Sequence, residues 1–147
     1  MSRYDDLRRI ESELGVLIRR VKRVLGDRAR MVHPDLHPLS FMVLNHIVET
    51  GPLRAGELSG AFHMDKAGVS RQVQQLVELG LVERRPDPDD RRASLLAGTA
   101  EAERRIEHMQ RERSALFDAR LGDWSDAEVA GFADRLHLYN EALDSGE

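Results

Sequence analysis

The chain has 147 residues, of which 41% are hydrophobic and 33% charged, with no cysteine and a formal net charge of −4 at pH 7. That size and balance predict one soluble globular domain, and the missing cysteine excludes disulfides, thiolate metal sites, cysteine nucleophiles and thiol-based redox sensing. The longest apolar run, Phe41 to Leu44, is far short of the ~20 residues that cross a bilayer; the charged opening MSRYDDLRRIESE lacks the apolar stretch of a signal peptide, so no membrane and a cytoplasmic location are expected. Charge is unevenly spread, with balances of +4 over residues 1–33, −2 over 34–98 and −6 over 99–147. Affinity for a polyanion follows the local field at the contact surface, so the acidic total does not exclude one.

In chain order, Leu7, Ile10, Leu14, Leu17, Val21 and Val24 recur at spacings of three and four and predict a long helix with one apolar stripe. Pro38 suits the first turn of a helix through Phe41, Leu44, Ile47 and Val48, which Gly51-Pro52 stops. Residues Leu53 to Phe62 read as a second short helix. A third starts at Asp65 as N-cap, buries Val69, Val73 and Leu76, and ends at Gly80 in the left-handed position. Leu81 to Arg85 and Ala93 to Ala97 are the strand candidates, flanking a polar tip from Pro86 to Arg92. Thr99 caps a helix carrying Ile106, Met109, Leu116 and Phe117 and ending near Gly122. Ser125 and Glu128 form a capping box for a last helix striped by Val129, Phe132, Leu136, Tyr139 and Leu143.

Helix, short helix, turn, helix and a hairpin with a charged tip is the order of a winged helix-turn-helix. Projected at about 100° per residue from its buried side, the third helix presents Ala67, Arg71, Gln74 and Glu78 opposite, with Ser70 and Gln75 on the flanks. Arg can donate two bonds to guanine, Gln can pair with adenine, Ser can bond either base, and Ala can meet a thymine methyl.

The stretch GPLRAGELSGAFHMDKAGVSRQVQQLVELGLVERRPDPDDRRA resembles the core of the MarR (multiple antibiotic resistance regulator) family, with Gly51-Pro52-Leu53, Leu76 to Arg84 and Asp87 to Arg92 filling its motifs. The resemblance covers roughly residues 38 to 101 by motif and the flanking helices by pattern. It implies a mainly α fold: a winged helix-turn-helix lobe (34–98) with a two-stranded β-wing, between N- and C-terminal dimerisation helices (1–33 and 99–147), in a single domain. It also implies a homodimer that occupies a pseudo-palindromic double-stranded DNA operator, usually as a repressor, and is released by a small-molecule effector. The implied DNA-contacting set is Lys66, Ala67, Ser70, Arg71, Gln74 and Gln75 on the helix and Asp90, Arg91 and Arg92 on the wing. Arg92 takes the place of the family's minor-groove arginine, and Asp90 that of the aspartate that orients its guanidinium.

The chain departs from the family at His37 and Arg54, where a capping Thr is frequent, and at Gly68, Gly98 and Ala102. Gly68 inside the recognition helix is expected to cost ~1 kcal/mol against Ala. An enzyme is not expected: Gly68-Val69-Ser70 begins like a nucleophile elbow, but Gln72 stands where the closing Gly belongs. The histidines lack ligand spacing, since Pro34 and Pro38 break the helical face that His33 and His37 would share. Met31, Met42, Met64 and Met109 read as core filling rather than a haem or copper site. No metal or other cofactor is expected. Two alternatives remain: a winged-helix adaptor that binds protein instead of DNA, and a metal- or haem-responsive regulator.

Overall fold

A computed structural model describes residues 1–145. Six helices and one hairpin follow in the order α1 (Arg3–Val32), α2 (Pro38–Thr50), α3 (Ala55–Phe62), α4 (Lys66–Glu78), β1 (Val82–Pro86), β2 (Ser94–Gly98), α5 (Ala100–Arg120) and α6 (Asp126–Asp144). This is the mainly α winged-helix architecture that the sequence predicts. Two compact units, Met1–Met109 and Gln110–Glu147, divide within α5.

In the first unit, apolar side chains from α2, α3, α4, the wing and α5 meet in one core: Leu44, Ile47, Leu58, Leu76, Leu81, Leu96 and Ile106 are all fully buried. Local chemistry sets the element ends. Pro38 occupies the first turn of α2, where no backbone N–H is missed, and Gly51, at φ 82°, ends that helix. The turn between α3 and α4 passes through His63 in the left-handed region, φ 49°. Asp65 then caps α4, its Oδ1 accepting the Gly68 N–H at 2.7 Å. Helix α4 closes in a Schellman motif: Gly80 at φ 73° donates its N–H to Val77 O, Leu81 donates to Leu76 O, and both leucines are buried.

The hairpin pairs Val82 with Gly98 through to Pro86 with Ser94, so each strand begins one residue later than the sequence suggests. Leu53 is a larger correction. Predicted as the start of the second short helix, it instead exchanges both backbone hydrogen bonds with Leu96 of β2, at 3.0 and 2.7 Å, and α3 begins only at Ala55. Pro52, without an N–H and with its φ fixed by the ring, keeps the chain out of a helix at this point, and the unpaired edge of β2 supplies the partner for Leu53. Gly98 is needed where β2 passes α2, since a Cβ there would lie 2.6 Å from Val48 Cγ2. Of the methionines expected in the core, Met109 is buried and Met64 packs against it, but Met31 and Met42 are about 40% exposed on outward helix faces.

The apolar stripe of α1 is buried only at its C-terminal end, by Ala29 and Val32, while Leu7, Ile10 and Leu17 are about half exposed. In the second unit the capping box of α6 forms, with Glu128 N–H donating to Ser125 Oγ at 3.3 Å and Ser125 N–H to Glu128 Oε2 at 2.7 Å. Trp124 and Phe132 meet edge to face at 5.7 Å. Every stripe residue of α6 is exposed in the isolated chain.

Candidate nucleic-acid interface

Helix α4 turns Val69, Val73 and Leu76 into the core, which fixes its outward face. Lys66, Ala67, Ser70, Arg71, Gln74 and Glu78 are all exposed on that face. Gln74 Nε2 donates to Glu78 Oε1 at 3.1 Å, one turn away, a contact that water or a base edge can replace at small cost. Arg71 and Lys66 form no ion pair among the described residues.

Gln75 is arranged differently from the other six. It is half-buried, its Nε2 reaches Asp35 O at 3.5 Å, and its Oε1 lies 2.7 Å from Ser40 Oγ, which also stands 2.6 Å from Gln72 Oε1. One hydroxyl hydrogen serves only one of these oxygens, so one amide presents its NH₂ to Ser40. Ser40 is fully buried on the apolar side of α2. Through it α4 is fastened to α2, an anchor that periodicity does not reveal because the partners lie on different helices.

The wing tip is shaped by two aspartates acting on backbone. Asp90 Oδ1 accepts the Arg92 N–H at 2.9 Å, and Ala93 N–H donates to Asp90 O at 3.1 Å. Asp90 therefore orients the Arg92 backbone in a tight turn, whereas the sequence suggests a hold on its guanidinium. Arg91 and Arg92 are left exposed, with no ion pair among the described residues. Asp87 is 5% exposed. Its Oδ1 accepts the Asp89 N–H at 2.9 Å, and its Oδ2 receives both Nε and Nη2 of Arg54 at 2.8 and 2.6 Å. The Asp89 N–H, and after it the Arg54 guanidinium, hold the Asp87 carboxyl below the usual carboxylate range against the opposing effect of burial. Arg54 itself, its guanidinium bonded to Asp87, is shifted upward.

By sequence, Arg54 is no more than a departure from a capping Thr. In the structure the Arg54 side chain makes no cap: Glu57 Oε2 accepts the Arg54 N–H at 2.7 Å and the Glu57 N–H donates to Arg54 O at 3.0 Å, while the guanidinium reaches the wing. Arg84, the last residue of the Leu76 to Arg84 motif, is absent from the expected DNA-contacting set; exposed on β1, it lines a shallow cleft between α3, α4 and the wing with Lys66 and Ser70. Among the described residues no three His, Asp or Glu side chains are grouped so as to hold a metal ion, and no helix is long and apolar enough to cross a membrane.

A sequence model described as MarR family matches residues 35–93, the segment from the start of α2 to the wing tip. The uncharacterized HTH-type transcriptional regulator YxaD of Bacillus subtilis (strain 168) is 31% identical over 143 residues, covering 97% of this chain and 99% of its own. Among solved structures, a MarR family transcriptional regulator from Listeria monocytogenes complexed with 26mer DNA superposes with a TM-score of 0.72 at 20% identity, over 90% of this chain and 87% of that one. A mutant MarR from E. coli complexed with operator DNA superposes with a TM-score of 0.67 at 21% identity, over 95% and 99% of the two chains.

Proposed function

This chain belongs to the MarR family of transcriptional regulators, and from that premise we propose that it binds a pseudo-palindromic DNA operator as a homodimer and represses transcription until a small molecule releases it. The observation that carries the reading is the outward face of α4, where Ser70, Arg71 and Gln74 are exposed beside a wing whose Arg91 and Arg92 are unpaired among the described residues. In the major groove Arg71 and Gln74 read base edges, Ser70 and Ala67 add contacts to either base and to thymine methyls, and Lys66 contacts phosphate. Arg92 enters or borders the minor groove, with Arg91 on the adjacent phosphate and Asp90 fixing the turn that presents both. Gln75 acts through the Ser40 anchor, holding the angle of the helix. The role is one of binding, not catalysis, in the cytoplasm.

The exposed apolar stripes support the homodimer. Leu7, Ile10 and Leu17 on α1, and Val129, Phe132, Leu136, Tyr139 and Leu143 on α6, are between 40% and 58% exposed in a single chain, more than an isolated helix in water leaves uncovered without cause. The segments 1–33 and 99–147 are accordingly assigned to dimerisation and 34–98 to the DNA-binding lobe.

The test is a selection of binding sites from a random duplex pool with the wild type and Gln74→Ala, together with sedimentation at micromolar concentration. Two-fold-symmetric sites with half-sites ~10 bp apart are expected, with base preference relaxed by ~1–3 kcal/mol at one position per half-site in the variant. A site holding a single half-site, or a stable folded monomer, contradicts the dimer. No duplex binding at any salt concentration contradicts the DNA reading and leaves the adaptor role.

A further inference from the structure

Beyond the apolar contacts that its base makes with the core, the hairpin is held to the helix-turn-helix by hydrogen bonds from two consecutive residues. Leu53 pairs through its backbone with Leu96, at the level where Leu96 faces Arg84 across the hairpin. Arg54 reaches farther along the wing, past the last strand pair of Pro86 with Ser94, to Asp87 at the start of the tip. Beyond Leu53 no backbone ladder continues on this side, so the orientation of the tip against α3 depends on a side-chain contact. Asp87 is suited to making it, because one of its oxygens shapes the wing turn through Asp89 N–H, the other holds two donors of Arg54, and the carboxylate is nearly sealed from water. A carboxylate so enclosed is costly to leave unpaired, whereas the Arg54 side chain is half exposed and can turn away at lower cost.

We propose that Arg54 and Asp87 form a clamp that sets the position of the wing relative to the recognition helix, and that they are positioning residues for DNA binding rather than DNA contacts. This rests on the reading of the wing as a DNA-binding element. A dimer whose wings are held at the right distance from its recognition helices loses less conformational freedom on binding than one whose wings wander. Releasing the clamp lowers affinity for every duplex while leaving the number of neutralised phosphates, and hence the salt slope, unchanged. The competing account makes Arg54 a phosphate contact that Asp87 holds back. The two accounts predict opposite signs for the same substitution.

The experiment uses the full chain as wild type, Asp87→Asn, Arg54→Ala and the double variant. Asparagine retains an oxygen for the Asp89 N–H, so the wing turn is kept and only the charged partner is lost. Two quantities are measured: the rate of tryptic cleavage after Arg91 and Arg92 without DNA, and affinity for a mixed-sequence duplex of about 30 bp, long enough for two half-sites, across a range of salt. Each single variant is expected to cleave faster at the wing and to bind about fivefold more weakly with the wild-type slope, and the double variant to be no worse than either single. Tighter binding with a steeper slope in Asp87→Asn overturns the clamp in favour of the held-back phosphate contact; additive losses or unchanged wing cleavage also overturn it. If the wild type binds no duplex, the DNA reading fails by itself, and the cleavage rates, which involve no DNA, still decide for or against the clamp.

Discussion

Gly68→Ala separates what helix propensity predicts from what the structure predicts, because the structure removes half or more of the expected gain. Propensity alone assigns alanine an advantage of ~1 kcal/mol over glycine within a helix. In the structure, however, a Cβ at position 68 would lie 2.8 Å from Asp65 Oδ1, the oxygen that accepts the Gly68 N–H at 2.7 Å. That carboxylate can move, but only by giving up the cap of α4, and loss of an N-cap costs about 0.5–2 kcal/mol. The two effects largely cancel, leaving a net change between a gain of ~0.5 and a loss of ~1 kcal/mol, short of the full propensity gain. Urea unfolding at fixed chain concentration measures it, because the midpoint of the proposed homodimer moves with concentration. The discriminating step is to repeat the substitution in an Asp65→Ala background, where no carboxylate stands in the way and Gly68→Ala should recover a stabilisation of ~1 kcal/mol. If Gly68→Ala stabilises the wild type by that amount, the close approach to Asp65 is not a constraint and glycine is merely tolerated here.

Three further outcomes are expected. Arg92→Ala should weaken binding to all duplexes and lower the log–log salt slope by about 1.8 for a symmetric dimer, with the protein still folded by circular dichroism; an unchanged slope means that the wing tip does not touch phosphate. Gly98→Ala should cost about 1–3 kcal/mol by forcing its Cβ against Val48 Cγ2, 2.6 Å away, and Val48→Ala should recover much of that loss in urea unfolding. Glu128 is held below the ordinary glutamate range by the N–H and then the hydroxyl of Ser125; a carboxyl with a depressed folded-state pKa contributes stability that is complete above its ordinary value and is lost as pH falls through the folded one. Thermal midpoints should therefore fall less between pH 7 and pH values below about 4 in Glu128→Gln than in the wild type, and equal falls refute the capping role of the charge.

Elements whose cause is local were legible in the sequence. Asp65 and the Ser125–Glu128 pair announce helix starts because cap and capped N–H lie within one turn, and Gly80 announces the end of α4 because only a left-handed residue closes that motif so tightly. The outward face of α4 was legible for the same reason: three buried apolar residues fix the rotation of a helix. What escaped depends on partners distant in sequence. Leu53 looks like helix until the edge of β2 is beside it, Gln75 looks like a free flank residue until Ser40 is beneath it, and Arg54 looks like a poor cap until Asp87 is across from it. Each of these three contacts fastens one part of the winged helix-turn-helix to another, and no window of a dozen residues contains both halves.

The same fastening limits how the proposed effector can act. Thr99 donates its hydroxyl to Gly80 O at 2.8 Å and its N–H to Leu81 O at 3.0 Å, while its Oγ1 accepts the Ala102 N–H at 3.2 Å as the cap of α5. One residue thus ties the closing turn of α4 to the first turn of α5. With Ser40 holding the middle of α4 and Asp65 its start, turning α4 within the lobe would break hydrogen bonds at each of these points, at about 0.5–1.5 kcal/mol apiece. Moving the lobe together with the first turn of α5 breaks none of them. A ligand that relieves repression therefore works most cheaply on the spacing of two intact lobes in a dimer, and must supply its effect as a difference in affinity between the competent and incompetent spacings, ~5.5 kcal/mol for a swing from 1:99 to 99:1.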